Sequence, residues 1–301
     1  GIGSNFSMKG SGELDNGWTV DLTIAHTNAG AYSAATVDVG LGGWGKLNFD
    51  QGSSANGVQA YDDKTPTAWE EPWGAGLTTG VRPLISGVGP SSNIQYTFPT
   101  THGTTLVVAY APKMGNTDNG DKAGGGMTGT ANVGRGYDIA LNVNPSFGTE
   151  VLSGLNMFTA AHTAKVYDNG AIDDDKWQGT AGITYDLGPI SIGLQKSAEY
   201  TGESSGTVAY NTYTNTSFGL AFNVSDDLSV SYGEARHVQS TVAKKSYADG
   251  GAILLINPNR NFNEYTPKSW MRGSSIQVAY TVGGLGLKYS DTTYDNTAYG
   301  F

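Results

Sequence analysis

Two pairs of adjacent carboxylates, Asp62-Asp63 and Glu70-Glu71, stand in one connection of about forty residues, 50–91. A stretch that long is more than a compact domain tolerates without a job. Three cations fall where they could oppose these acids: Lys9 and Lys46 on early alternating segments, and Arg82 near the connection's return. Opposed carboxylates and cations across a narrow, water-filled gap would create a transverse field. Such a field orders water and favours polar solutes over apolar ones of equal size. The plainer alternative for Asp62 and Asp63 is a solvated loop tip. Tyr61, Trp69 and Trp73 in the same connection could line a path for solutes or wedge the connection against a wall.

A second acidic group is "DNGAIDDDKW" at 168–177, with Asp168, Asp173, Asp174 and Asp175. On an outer loop these hard oxygen donors could hold Ca²⁺ weakly, although their spacing follows no helix–loop–helix calcium motif. "TDNGD" at 117–121 adds Asp118 and Asp121. Solvated acidic loops are the alternative reading of both stretches. The four histidines, His26, His102, His162 and His237, are scattered without metal-ligand spacing. The chain has no cysteine, which removes disulfides and thiolate metal sites. No Gly-rich phosphate loop opens a helix, and "AGGGMTG" at 123–129 reads as a flexible loop. Nothing in the sequence assembles a catalytic constellation, so no enzyme and no cofactor beyond Ca²⁺ is expected.

The elements that must position these residues are strands. In "GWTVDLTIAH" (17–26), Trp18, Val20, Leu22 and Ile24 alternate with Thr19, Asp21 and Thr23, giving one greasy and one wet face. The pattern recurs through "TVDVGLGG", "GYDIALNV" and most of the chain, and gives about fourteen strands with no convincing amphipathic helix. Short turns at 15–17, 42–43, 99–103, 145–149, 187–188, 225–227 and 283–284 alternate with long polar connections. The long ones fall at 27–32, 50–91, 112–135, 164–175, 200–210 and 240–271. Short turns on one rim and long loops on the other is the layout of a transmembrane antiparallel β-barrel. In that layout Leu22 and Ile24 face lipid, while Asp21, Lys9 and Lys46 face a wet lumen.

Composition agrees. Among 301 residues are 44 glycines and 17 tyrosines, and the formal net charge of −10 argues against a nucleic-acid surface. No apolar run approaches the roughly 20 residues of a membrane helix, a test that a barrel escapes because only alternate residues meet lipid. No leader segment is visible, which reads as a mature or a cytosolic chain. A second class stays open: a secreted or surface-displayed β-protein, an adhesin or glycan-binding module using its loops as the binding face.

At 36–62 the sequence runs "TVDVGLGGWGKLNFDQGSSANGVQAYD", preceded by "NFSMKGSGELDNGWTVDLTIAH". Both stretches resemble Gram-negative general porins of the alphaproteobacterial type, where two strands and a Gly turn lead into a constriction loop. The resemblance implies a single domain over 1–301, with a sixteen-stranded barrel in the outer membrane and the loop 50–91 folded inward. It implies a homotrimer set among outer-membrane lipid and lipopolysaccharide, passing ions and small hydrophilic solutes by passive diffusion. Only about fourteen strands can be counted here.

Overall fold

The computed structural model describes residues 6–26, 32–72, 85–114, 131–145, 150–168, 171–202, 212–240, 246–247, 253–254 and 269–295. Among the described residues, most stretches where apolar and polar residues alternate form strands. The first half holds β1 (Phe6–Glu13), β2 (Thr19–His26), β3 (Tyr32–Gly40), β4 (Lys46–Asp50), β5 (Asn93–Thr97), β6 (Thr104–Ala111) and β7 (Ala131–Val143). The second half holds β8 (Leu155–Asp168), β9 (Ala171–Leu187), β10 (Ile190–Tyr200), β11 (Thr212–Asn223) and β12 (Leu228–Ser240). A two-stranded hairpin, β13 (Ser246–Tyr247) and β14 (Ile253–Leu254), precedes β15 (Ser269–Val282) and β16 (Leu285–Asp295). Among the described residues, one α-helical turn, Glu150–Ser153, and two 3-10 turns, Gly42–Trp44 and Gly57–Tyr61, are the other regular pieces.

All strands but the small hairpin join one antiparallel sheet in chain order, β1 to β12 and then β15 and β16. Its described strands number fourteen, matching the alternation count rather than the sixteen implied by resemblance. Among the described residues no ladder joins β1 to β16.

Three expected connections are shorter than the sequence suggested. The stretch 164–175 is mostly strand, because β8 runs to Asp168 and β9 begins at Ala171. β7 already begins at Ala131, and the connection 240–271 contains β13 and β14. After the turn expected at 145–149, the next strand does not start at once: the helical turn Glu150–Ser153 comes first and β8 starts at Leu155.

The two faces invert the usual soluble arrangement. Leu22, Phe49, Ile139, Ile183, Leu194, Leu220, Ile276 and Leu287 are exposed on the outer face. Asp138, His162, Gln178, Gln195, Ser231 and Gln277 are buried on the inner face. A continuous exposed apolar surface of this extent needs an apolar surrounding rather than water. Trp18, Trp44 and Phe98 sit exposed near the short-turn end, and Tyr110, Tyr137 and Trp177 lie further along their strands. From Leu187 to Trp177 on β9 is ten steps. At roughly 3.3 Å per step and a tilt of roughly 45° that spans about 23 Å, close to the apolar band of an outer-membrane barrel.

Candidate functional site

The long connection enters the enclosed space through side chains that replace its missing backbone partners. The Asp50 carboxylate accepts from the backbone N–H groups of Gly52, Ser53 and Ser54 at 2.9–3.2 Å, turning the chain inward directly after β4. Asn56 Nδ2 donates to Asn48 Oδ1 at 2.6 Å and to Asn93 Oδ1 at 2.8 Å. Next comes a buried clamp on β7. Asp138 Oδ2 accepts from the N–H of Val58 at 2.8 Å and of Val88 at 3.1 Å, tying the outgoing and returning arms to one carboxylate. Its other oxygen lies 2.6 Å from His162 Nδ1 on β8, and both side chains are fully buried. Gly57 and Gly87 have positive φ and touch Asp138 so closely that a Cβ at either would collide with the carboxyl.

Beyond the clamp, the chain runs along the inner wall. Tyr61 stacks on Phe158, ring centroids 5.4 Å apart. Gln195 on β10 accepts from Lys64 N at 2.8 Å and donates to the carbonyls of Tyr61 and Asp62. Ser231 on β12 accepts from Ala68 N at 2.8 Å, and Gln277 on β15 accepts from Glu70 N at 3.2 Å. The end of this run reaches β16: Trp69 Nε1 donates to the Tyr289 carbonyl at 3.1 Å, and Tyr294 donates its hydroxyl to the Pro72 carbonyl at 2.7 Å. Between these bonds lies a track of bare backbone. Gly193, Gly219 and Gly233 face one another in register on β10, β11 and β12. A Cβ on Gly219 would come within 2.4 Å of the Pro66 carbonyl oxygen, and one on Gly233 within 2.9 Å of Pro72 Cγ.

The wall draws the two carboxylate pairs together. Burial pushes Asp62 up to about 7, with Asp63 adding to the rise through a hydrogen bond and its charge. Burial likewise pushes Glu71 up to about 8, helped by the hydrogen bond to Glu70 and the charge of Asp63. Glu70 is held below the ordinary range by its hydrogen bond with Glu71, with Lys288 contributing. Lys288 on β16 also lies over the Trp69 ring at 5.3 Å.

Of the three expected cations, Lys9 and Lys46 are described. Lys9 is exposed on β1, paired in register with Thr23. Lys46 forms an ion pair with Asp38 on β3 at 2.8 Å, so it is not a free counter-charge. Arg82 and Trp73 lie outside the described residues. Tyr61 and Trp69 do what a wedge would do, one stacked on the wall and the other bonded to it. Of the suggested calcium ligands, only Asp175 has a described side chain, and both its oxygens accept from Lys165 Nζ at 2.7 and 2.8 Å. A strand pair rather than a loop carries the group. Among the described residues no three His, Asp or Glu side chains gather as a metal site would need.

Sequence reading missed the Asp138–His162 clamp, the wall amides Gln178, Gln195 and Gln277, and Lys288. A signal for the clamp was present, since pairing "GYDIALNV" with the next strand puts Asp138 opposite His162.

An antiparallel sheet with an apolar outside, a polar inside and a loop fastened within defines an outer-membrane β-barrel channel. A family model for Gram-negative porins matches residues 2–266, and the chain belongs to that family. No curated protein matches the sequence. Among solved structures, the anion-selective porin from Comamonas acidovorans aligns with TM-score 0.58 at 14% identity, covering 98% of this chain and 79% of that one. OmpF of Salmonella typhi, in complex with daunomycin, gives 0.57 at 12% identity over 95% and 81%. A loop-deleted OmpT of Vibrio cholerae, an outer membrane protein, gives 0.54 at 13% identity over 97% and 87%. The protein is an outer-membrane porin that forms a water-filled diffusion channel. This replaces the alternative of a secreted or surface-displayed binding module.

Proposed function

We propose that the inward loop sets the narrowest section of the channel and that Asp62, Asp63, Glu70 and Glu71 weight it weakly towards cations. The observation that carries this reading is the loop's attachment to the inner wall from β7 to β16, which brings both carboxylate pairs into the enclosed space. The facing strands β1 to β4 carry Lys9 and Lys46, but also Asp21 and Asp38, so they offset the acids only in part. Ions in such a section feel these charges within a Debye length of roughly 10 Å at 0.1 M salt. The channel works without catalysis or a resident cofactor in this proposal, and Ca²⁺ on the outer acidic stretch has weak support because Lys165 occupies Asp175. The unit is one domain, assembled as a homotrimer among outer-membrane lipid and lipopolysaccharide. A groove of about 600 Å³ on the outer face, lined by Leu22, Ile24, Val37, Phe49, Ile94 and Tyr110, supports contact between copies there.

Single-channel recording tests the constriction. Deleting residues 60–80 raises conductance and the size cutoff while the barrel still inserts. Asp62→Asn with Asp63→Asn shifts the reversal potential in a salt gradient towards anions. A deletion variant that inserts and conducts like the parent would place the narrowing elsewhere.

A further inference from the structure

The pairing of Asp138 with His162 leaves one buried atom without a partner. An ionised carboxylate only accepts, and Asp138 Oδ1 lies 2.6 Å from His162 Nδ1 while Oδ2 receives the Val58 and Val88 N–H groups. Nδ1 therefore carries the ring proton, and the neutral imidazole keeps its lone pair on Nε2. The His162 side chain is fully buried, and Nε2 has no hydrogen-bond partner among the described residues. Buried polar atoms are almost always satisfied, so an orphan of this kind points to a ligand.

Beside the ring lies a thioether. A Cβ built on Gly136 of β7 would meet Met114 Sδ at 2.5 Å and His162 Cε1, the carbon bonded to Nε2, at 3.1 Å. These two distances place Sδ and Cε1 no more than 5.6 Å apart. The β7–β8 ladder shifts register between Val133 and Gly136, an irregularity of the kind that re-aims side chains. The Met114 backbone is fixed there, its N–H donating to the Gly134 carbonyl at 2.8 Å. Ser91 on the returning arm donates its hydroxyl to Sδ at 3.8 Å, which engages one sulfur lone pair and leaves the other. Val88, Ala109 and Ala111 pack against Met114, so the surroundings are apolar.

We propose that His162 Nε2 and Met114 Sδ bind a soft monovalent metal ion, copper(I) or silver(I), inside the barrel wall beside the loop's returning arm. An imidazole nitrogen and a thioether suit such an ion, which is content with two ligands. A carboxylate on the other ring nitrogen is the usual support of a metal-bound histidine, fixing its tautomer and orientation. Zinc wants three or four protein ligands, and among the described residues no three His, Asp or Glu side chains gather. The apolar packing keeps water off the pair and further disfavours strongly hydrated divalent ions. A bound ion ties the segment after β6 to β8 across Gly136. Conduction does not require it, so the site stands apart from the constriction.

The test uses full-length protein in detergent and chloride-free nitrate buffer, with silver(I) as the probe because it needs no reductant. Native mass spectrometry counts bound ions, and carbon-13 labelling of the five methionine methyl groups reports which sulfur binds. Wild type takes up one silver ion per chain, and of the methionine signals only that of Met114 moves. Met114→Leu keeps the side-chain volume and the Asp138–His162 pair but weakens binding by about a hundredfold, the upper end of what even an outer-sphere partner is worth. His162→Gln weakens it similarly, and zinc(II) neither binds at the same concentration nor displaces silver. Metal-free single-channel conductance is equal in wild type and Met114→Leu. A wild type that takes up silver without conducting would tell against the porin reading and not against the site. Undiminished uptake by Met114→Leu, movement of another methionine signal instead, equal binding of zinc(II), or no uptake by wild type would each overturn the metal site.

Discussion

At the scale of single residues, the loop depends on groups whose charge or hydrogen bonding is set by burial. Asp62 and Glu71 are raised because burial disfavours the carboxylate. Their protons are therefore held more tightly in the packed loop than in a free one. The contribution to loop packing is fully present below the ordinary carboxylate range and is lost as pH rises through about 7 for Asp62 and about 8 for Glu71. Channel charge moves the opposite way, so cation preference should grow between pH 6 and pH 9. Reversal potentials across that range should show the shift, and Asp62→Asn with Glu71→Gln should flatten it. A wild-type profile independent of pH would refute the assignment. Asp138 acts through geometry instead. Replacing it by Ala leaves the Val58 and Val88 N–H groups without their acceptor, at roughly 1–3 kcal/mol for each buried donor. Asp138→Ala should increase current noise and speed protease cleavage in the loop, with Asp138→Asn intermediate.

At the scale of elements, the wall is shaped for the loop as much as the loop for the wall. The three glycines in register on β10, β11 and β12 leave a smooth strip where Pro66 and Pro72 press. Adding a side chain there costs no strand, only the loop's seat. Gly219→Val should insert normally and raise conductance, because its Cβ would meet the Pro66 carbonyl oxygen. Unchanged conductance would show that the loop can shift without widening the pore. These elements differ in how far they could be read beforehand. The lipid-facing strands were legible because one face is uniformly apolar, so Leu22, Ile24, Ile139 and Ile183 set a period of two. The ends of β8 and β9 were not, because the Lys165–Asp175 pair makes both faces polar once the membrane no longer demands alternation. Gln195 and Gln277 look in sequence like any wet-face residue. Their partners, Lys64 and Glu70, lie more than a hundred residues away, and no local pattern announces them.

At the scale of the whole molecule, the consequence is an inside-out protein whose surface tolerates substitutions by face. Leu22 is 42% exposed on the outer side of β2, while its neighbour Thr23 points inwards opposite Lys9. Leu22→Arg should weaken assembly by roughly 2–4 kcal/mol near the bilayer midplane. Thr23→Arg should assemble normally and alter reversal potential. Urea titrations of folding into vesicles compare the two, and equal losses would mean the faces are wrongly assigned.

The reach of the loop to β16 also fixes an order of events. Trp69 and Tyr289 are 220 residues apart in the chain, and Pro72 and Tyr294 are 222 apart. Contacts of such separation form late, because the intervening chain must already be ordered. During refolding the loop's near half can dock on β7 and β9 while its far half still waits for the final hairpin. A nascent barrel therefore passes through a wide, leaky stage, and only the arrival of its last strand narrows the path.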